Sequence, residues 1–161
     1  MLLSHLVFFN FSYMVKFITD QHFVVRDRLG RLLVFLARLI KDNKTSVAWD
    51  IASNEETSIV VDKNGLATVL RNDGTTNYNI NGGYTDPLPT ASLNSVAYFI
   101  LADHQPITCV AKTPLTYIGY KVWKRTYEQT FNLANLPSIP DYNLNVTNGV
   151  ISVSGNNGNI Y

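Results

Sequence analysis

The chain has 161 residues, 46% of them hydrophobic and 16% charged, with a formal net charge of +1. That is about one domain's worth, enough for a core or for two small β modules, and too apolar for overall disorder. Charge balance gives no global case for nucleic acid or acidic lipid, one cysteine (Cys109) excludes a disulfide framework or multi-cysteine metal site, and no apolar run reaches membrane-spanning length.

Composition shifts near Asn43. Of seventeen asparagines only Asn10 precedes Asp42, whereas Arg26, Arg28, Arg31 and Arg38 crowd the first part. Residues 1–44 sum to +4, residues 45–111 to −5 and residues 112–161 to +2. Asn and Gly tolerate positive φ and mark turns, so the Asn-, Thr-, Val- and Tyr-rich remainder reads as β-rich.

Residues 1–13 are apolar but lack the basic start and small-residue cleavage site of a secretory signal. They read as an upstream extension, with Met14 a second plausible start and a degenerate export signal the alternative. In residues 28–41, Arg28, Arg31, Arg38 and Lys41 recur at helical spacing, leaving Leu32, Leu33, Leu36, Leu39 and Ile40 on the other side. A hairpin turning at residues 27–30 competes, but Leu, Arg and Ala outnumber β-branched residues, which favours an amphipathic helix.

From Thr45 onward strands alternate with turns. Residues 46–51 alternate around Val47, Trp49 and Ile51, with Trp49 expected to anchor a core. Residues 58–61 and 66–70 form a hairpin around Asp62-Lys63-Asn64-Gly65. Pro87 and Pro89 cannot donate to a ladder and set the best internal boundary at residues 86–89. Strands are expected at 95–101, 107–111, 115–122, 126–133 and 144–146, then a hairpin in which 150–153 returns after 155–158. The organisation expected is therefore a basic leader (1–44), an immunoglobulin-like or sandwich β module (45–85) and a second β module (90–161). Its last strand stops at Tyr161 as though truncated or completed by a partner.

No catalytic constellation emerges. His5, His22 and His104 are far apart in sequence, and Cys109 reads as a small hydrophobe on an alternating strand rather than as a nucleophile paired with His104. Glu55 and Glu56 point apart as sequence neighbours, and Gly82-Gly83 lacks the Lys-Ser/Thr of a phosphate loop. Asn10, Asn43 and Asn145 head glycosylation triplets, which an Asn- and Thr-rich chain generates freely. Lys121, Trp123, Arg125 and Tyr127 would share one strand face, a cationic and aromatic mixture able to stack on bases or sugar rings. The competing reading is an edge strand whose Lys and Arg deter edge-to-edge pairing.

Two resemblances bear on class. Residues 47–50 (Val-Ala-Trp-Asp), Ser53 with Asn54, and residues 59–69 resemble bacterial immunoglobulin-like surface domains, although Gly74-Thr75-Thr76 meets their closing strand only in part. Residues 122–127 (Val-Trp-Lys-Arg-Thr-Tyr), Leu136 with Pro137, and residues 149–155 are similar to a repeated segment of bacteriophage tail-fibre proteins, with Gly119-Tyr120-Lys121 in place of the usual Gly-Lys-Pro. Both imply a mainly β, non-catalytic surface module without cofactor. The first expectation is a virion structural or adhesion module of fibre type. It would be a homo-oligomer (a trimer favoured) or bind other virion proteins, with a cell-surface glycan as candidate ligand and no nucleic acid. The alternative is an immunoglobulin-like spacer or binding module of a bacterial surface or secreted protein.

Overall fold

The computed structural model describes residues 13, 16–55, 57–71, 95–155 and 160. In chain order the elements are β1 (Phe17–Asp20), α1 (Leu29–Lys41), β2 (Ala48–Ser53), β3 (Thr57–Val61), β4 (Leu66–Arg71), β5 (Val96–Ala102), β6 (Tyr117–Thr126), β7 (Thr130–Asn132), β8 (Tyr142–Thr147) and β9 (Val150–Ser154). The protein is mainly β, with two packed sheets and one helix among the described residues. The larger sheet runs β1-β2-β5-β6-β8-β9 and the smaller β3-β4-β7. Only the β1–β2 pair is parallel.

The amphipathic helix forms where the arginine spacing places it. Leu29, Leu32, Leu33, Leu36, Ala37 and Ile40 are buried, while Arg31, Val34, Phe35 and Arg38 face outward. Arg38 and Lys41 occupy the last turn, where cations complement the helix dipole. No acidic residue lies in the first turn; instead Asp20 of β1 reaches Arg28 and Arg31 at 2.7 and 2.8 Å. Ile151 of β9 stands against Gly30, so both outermost strands meet the first turn of α1 and the larger sheet curls about the helix. Beneath α1 lie Ala48 and Ala52 of β2, Tyr98 and Ile100 of β5, Tyr120 and Val122 of β6 and Leu144 of β8. The Tyr120 hydroxyl donates to the Leu33 carbonyl at 2.7 Å within this layer.

The opposite face of the larger sheet packs on the smaller one. Trp49, Ile51, Phe99, Leu101 and Trp123 meet Ala67, Val69 and Phe131. Ring stacking organises this layer: Phe17 on Trp49 at 5.5 Å, Trp49 on Trp123 at 5.7 Å and Phe99 on Phe131 at 4.1 Å between centroids. Period-2 alternation therefore feeds two cores from the same strands.

The β3–β4 hairpin forms as expected, with Asp62 Oδ1 accepting from the Asn64 and Leu66 amides. Other boundaries differ from expectation. Strand β6 runs unbroken through residues 123–126, and the chain turns at Tyr127 and Glu128, whose φ is +63°. Around Cys109 the only pairing is a single Thr108–Thr116 bridge, because Ile107 and Val110 face solvent and give no strand a packed face. Strand β9 returns from β8 across Asn148-Gly149, both at positive φ (+49° and +79°), the residue pair that two-residue hairpins favour. A bulge at Ile118 and Gly119 (φ +95°) is closed by the Gly119 amide donating to Asn145 Oδ1. Strands from both sides of residues 86–89 share each sheet: β2 with β5, and β4 with β7. Residues 1–12, Met14 and Val15, Glu56, the 72–94 segment with its proline boundary, residues 156–159 with the turn expected there, and Tyr161 lie outside the described residues.

Trp49 stacks between Phe17 and Trp123 in the inter-sheet core. Trp49→Ala is expected to cost about 3–5 kcal/mol, as buried aromatic truncations do. Urea unfolding of wild type and variant measures it, and a change below about 1 kcal/mol would contradict the core assignment.

Candidate functional site

On β6 the side chains of Lys121, Trp123 and Arg125 do share a face, and that face is directed at the second sheet. Trp123 is 2% exposed and its indole N–H donates to the Ile139 carbonyl at 3.0 Å. Its ring is covered by Trp49 and Phe131, so it offers no stacking surface to a base or sugar. Lys121 reaches Asp103 Oδ2 at 2.6 Å. Arg125 lies over the Phe131 ring and binds Asp141 at 2.8 Å and the Thr130 carbonyl at 3.0 Å. Tyr127 sits beyond the strand in the turn and is half-buried. The four residues expected to form one binding face are thus divided between a core and its rim.

Around Arg125 the β6–β7 turn opens a polar cleft of about 610 Å³, lined among others by Lys124, Gln129 and Asp141. Asp141 accepts the Lys124 amide and an Arg125 guanidinium N–H through one oxygen, Oδ2. Burial lowers the Lys124 ammonium below the usual lysine range while its Nζ donates to the Ile160 carbonyl. These groups tie the end of β6 to β8 and to the C-terminal residues.

A second cluster joins the β5 end to the β6 bulge. His104 places Nδ1 2.9 Å from Asp103 Oδ1 and Nε2 2.9 Å from the Ile118 carbonyl. The Tyr117 hydroxyl accepts the Asp103 amide at 3.0 Å, and the Tyr117 ring stacks on Tyr120. Burial would raise the Asp103 carboxyl, but hydrogen bonds and charge from Lys121 and His104 outweigh it and hold it low. His104 thereby ties the bulge to Asp103 and Tyr117, and Cys109 lies outside the cluster. Among the described residues no three His, Cys, Asp or Glu side chains converge as a metal site would require.

The third concentration of charge lies under α1. Asp20 takes Arg28 and Arg31 from the helix start; burial opposes its ionisation, yet those two guanidinium groups pull its carboxyl below the ordinary range. Asp50, on the neighbouring β2, is fully buried and neither carboxylate oxygen has a hydrogen-bond partner. Burial pushes it well above the usual carboxylate range, the Asp20 charge adds to the push, and the Ile51 amide offsets only part. Sequence reading passed over Asp50 because it sat beside Trp49 in an alternating strand. Its signal was available: the position two residues either side, Ala48 and Ala52, belongs to an apolar face.

No protein-family model, no curated protein and no solved structure matches this chain.

Two measurements follow from these environments. As pH rises past about 4, the unfolded chain releases the Asp50 proton while the folded chain retains it, so this residue lowers stability with rising pH. Asp20 works in the opposite sense, contributing above the ordinary carboxylate range and losing its contribution as pH falls through its lowered value. In Asp50→Asn the amide is equally unsatisfied at every pH. The variant's stability relative to wild type should therefore climb between about pH 4 and pH 7, and a flat difference in denaturant titrations would contradict this. Cys109 is buried and burial raises its thiol above the usual range. Native protein should label slowly with a thiol reagent at neutral pH, and rapid stoichiometric labelling would contradict the inert assignment.

Proposed function

We propose that the chain is a non-catalytic virion structural or adhesion module of fibre or appendage type, working as a homo-oligomer. The observation that carries the reading is the outer edge of β9. Among the described residues this strand ends the larger sheet, Val150 is 69% exposed, and residues 147–155 contain no charge and no proline. Monomeric β proteins blunt such edges with Lys, Pro or a covering loop. An uncharged edge instead suits pairing with another copy, as fibre-type modules do, and the strand belongs to the segment 149–155 that resembles tail-fibre repeats. The internal use of Lys121, Trp123 and Arg125 also supports a structural role for that resemblance. A glycan ligand, if the module is adhesive, would meet the polar cleft beside Arg125 rather than the Trp123 ring.

The alternative, an immunoglobulin-like spacer of a bacterial surface or secreted protein, draws on the β3–β4 hairpin, whose Asp62–Gly65 turn follows the motif that carries that resemblance. Quantitative mass spectrometry of particles purified from the source separates the two. The structural-module reading expects the chain in the particle fraction at a fixed ratio to other virion proteins. Recovery only from the cell envelope or culture fluid would overturn it in favour of the spacer.

A further inference from the structure

The other end of the larger sheet carries a different surface. Among the described residues strand β1 has a neighbour on one side only, β2. The Lys16 carbonyl accepts the Trp49 amide, so Lys16, Ile18 and Asp20 turn their backbone groups toward β2. Phe17 and Thr19 therefore direct their N–H and C=O groups outward, and Thr19 is exposed. Beside this open edge runs a groove of about 420 Å³ between β1 and α1. Its floor is apolar, made by Ile18, Leu32, Phe35 and Leu39, and Phe35, on the outward face of the helix, is 51% exposed. Its rim carries three cations, Arg31, Arg38 and Lys44, against two carboxylates, Asp20 and Asp42, with Arg28 bound to Asp20 from beside it. Arg31 shares Asp20 with Arg28, Arg38 pairs with Asp42, and Lys44 makes no ion pair among the described residues.

We propose that the β1–α1 groove is a strand-addition site for an extended partner peptide with alternating apolar side chains flanked by acidic residues. Each part of the ligand is set by a part of the site. The outward backbone groups of Phe17 and Thr19, which no described residue pairs, are matched only by another backbone in β conformation. An apolar floor on one side of that edge takes every second side chain of the added strand. Lys44 and the arginines select acidic flanks, through charge that acts most strongly at low salt. Helix and edge strand together thus use one docking mode, in which main-chain hydrogen bonds supply affinity and the groove supplies selectivity. A second copy's β9 fits this groove poorly, because residues 150–154 bring no acidic group to the cationic rim. This inference goes beyond the structural-module reading and depends on the fold alone.

The test is a fluorescence-anisotropy titration of the full chain with a labelled synthetic octapeptide, Glu-Val-Thr-Val-Thr-Val-Thr-Glu, and with its Lys-ended counterpart. The Glu-ended peptide is expected to bind saturably, about tenfold more tightly than the Lys-ended one, with Lys44→Glu reversing the preference. Thr19→Pro removes an outward N–H that β2 does not use, a substitution edge strands tolerate, and should weaken binding about tenfold. A peptide N-methylated throughout should not bind; it leaves the protein untouched and keeps the test decisive if Thr19→Pro does not fold. Absence of saturable binding overturns the proposal. So does binding that survives N-methylation, or that a folded Thr19→Pro variant leaves unchanged. Self-association that Thr19→Pro abolishes, without peptide binding, would also overturn it by making a second copy the occupant. None of these outcomes bears on whether the chain is found in particles.

Discussion

Strand β2 is covered on both faces, and most of the architecture follows from that constraint. All six of its residues are buried. Toward α1 it presents Ala48 and Ala52, small enough for the helix to lie close; toward the second sheet it presents Trp49 and Ile51, large enough to fill the inter-sheet space. A strand with both faces buried must be apolar throughout or meet any polar side chain with a partner. Asp50 is the exception. Burial pushes its carboxyl well above the ordinary range, because a neutral carboxyl is far less costly to bury than a carboxylate.

The neighbouring carboxylate resolves the same problem differently. Asp20 is nearly as buried, yet Arg28 and Arg31 hold it ionised and place negative charge beneath a helix start that has no acidic residue of its own. One acid is held charged by two guanidinium groups, while burial and the charge of the first push the other, a strand away, towards its neutral form. Ionising Asp50 would set a second negative charge near Asp20. The helix, the edge strand β1 and the centre of the sheet are thereby coupled through electrostatics as well as packing.

What could be read in the sequence was the local part. The helix was legible because arginines at three- and seven-residue spacing define a solvated stripe, and the β3–β4 hairpin because Asp62 and Gly65 specify a turn whatever surrounds it. Trp49 was legible as a core residue from alternation alone. The partnership of β2 with β5, and of β4 with β7, depends on contacts across long separations that no local pattern encodes. Asn148-Gly149 carries a hairpin signal as strong as any in the chain, and it joins β8 to β9, a pairing the sequence reading did not name.

The face on β6 was misplaced for a more instructive reason. Lys121 and Arg125 flank Trp123 at period 2, and charged neighbours on one strand face normally mean solvent. Here the smaller sheet covers only the middle of that face. The long stems of the two cations lie along its margins, Arg125 across the Phe131 ring and Lys121 out to Asp103, while the ring between them is sealed. Composition therefore described the rim of a core in the terms of a binding surface. Among the described residues, the surfaces where no element covers the backbone itself are the outer edges of β1 and β9, and they differ in what they can accept. The β9 edge is neutral, which suits another uncharged strand. The β1 edge is flanked by an apolar channel and by cations, which suits an acidic one. Two ends of one sheet can thus serve two kinds of contact without competing.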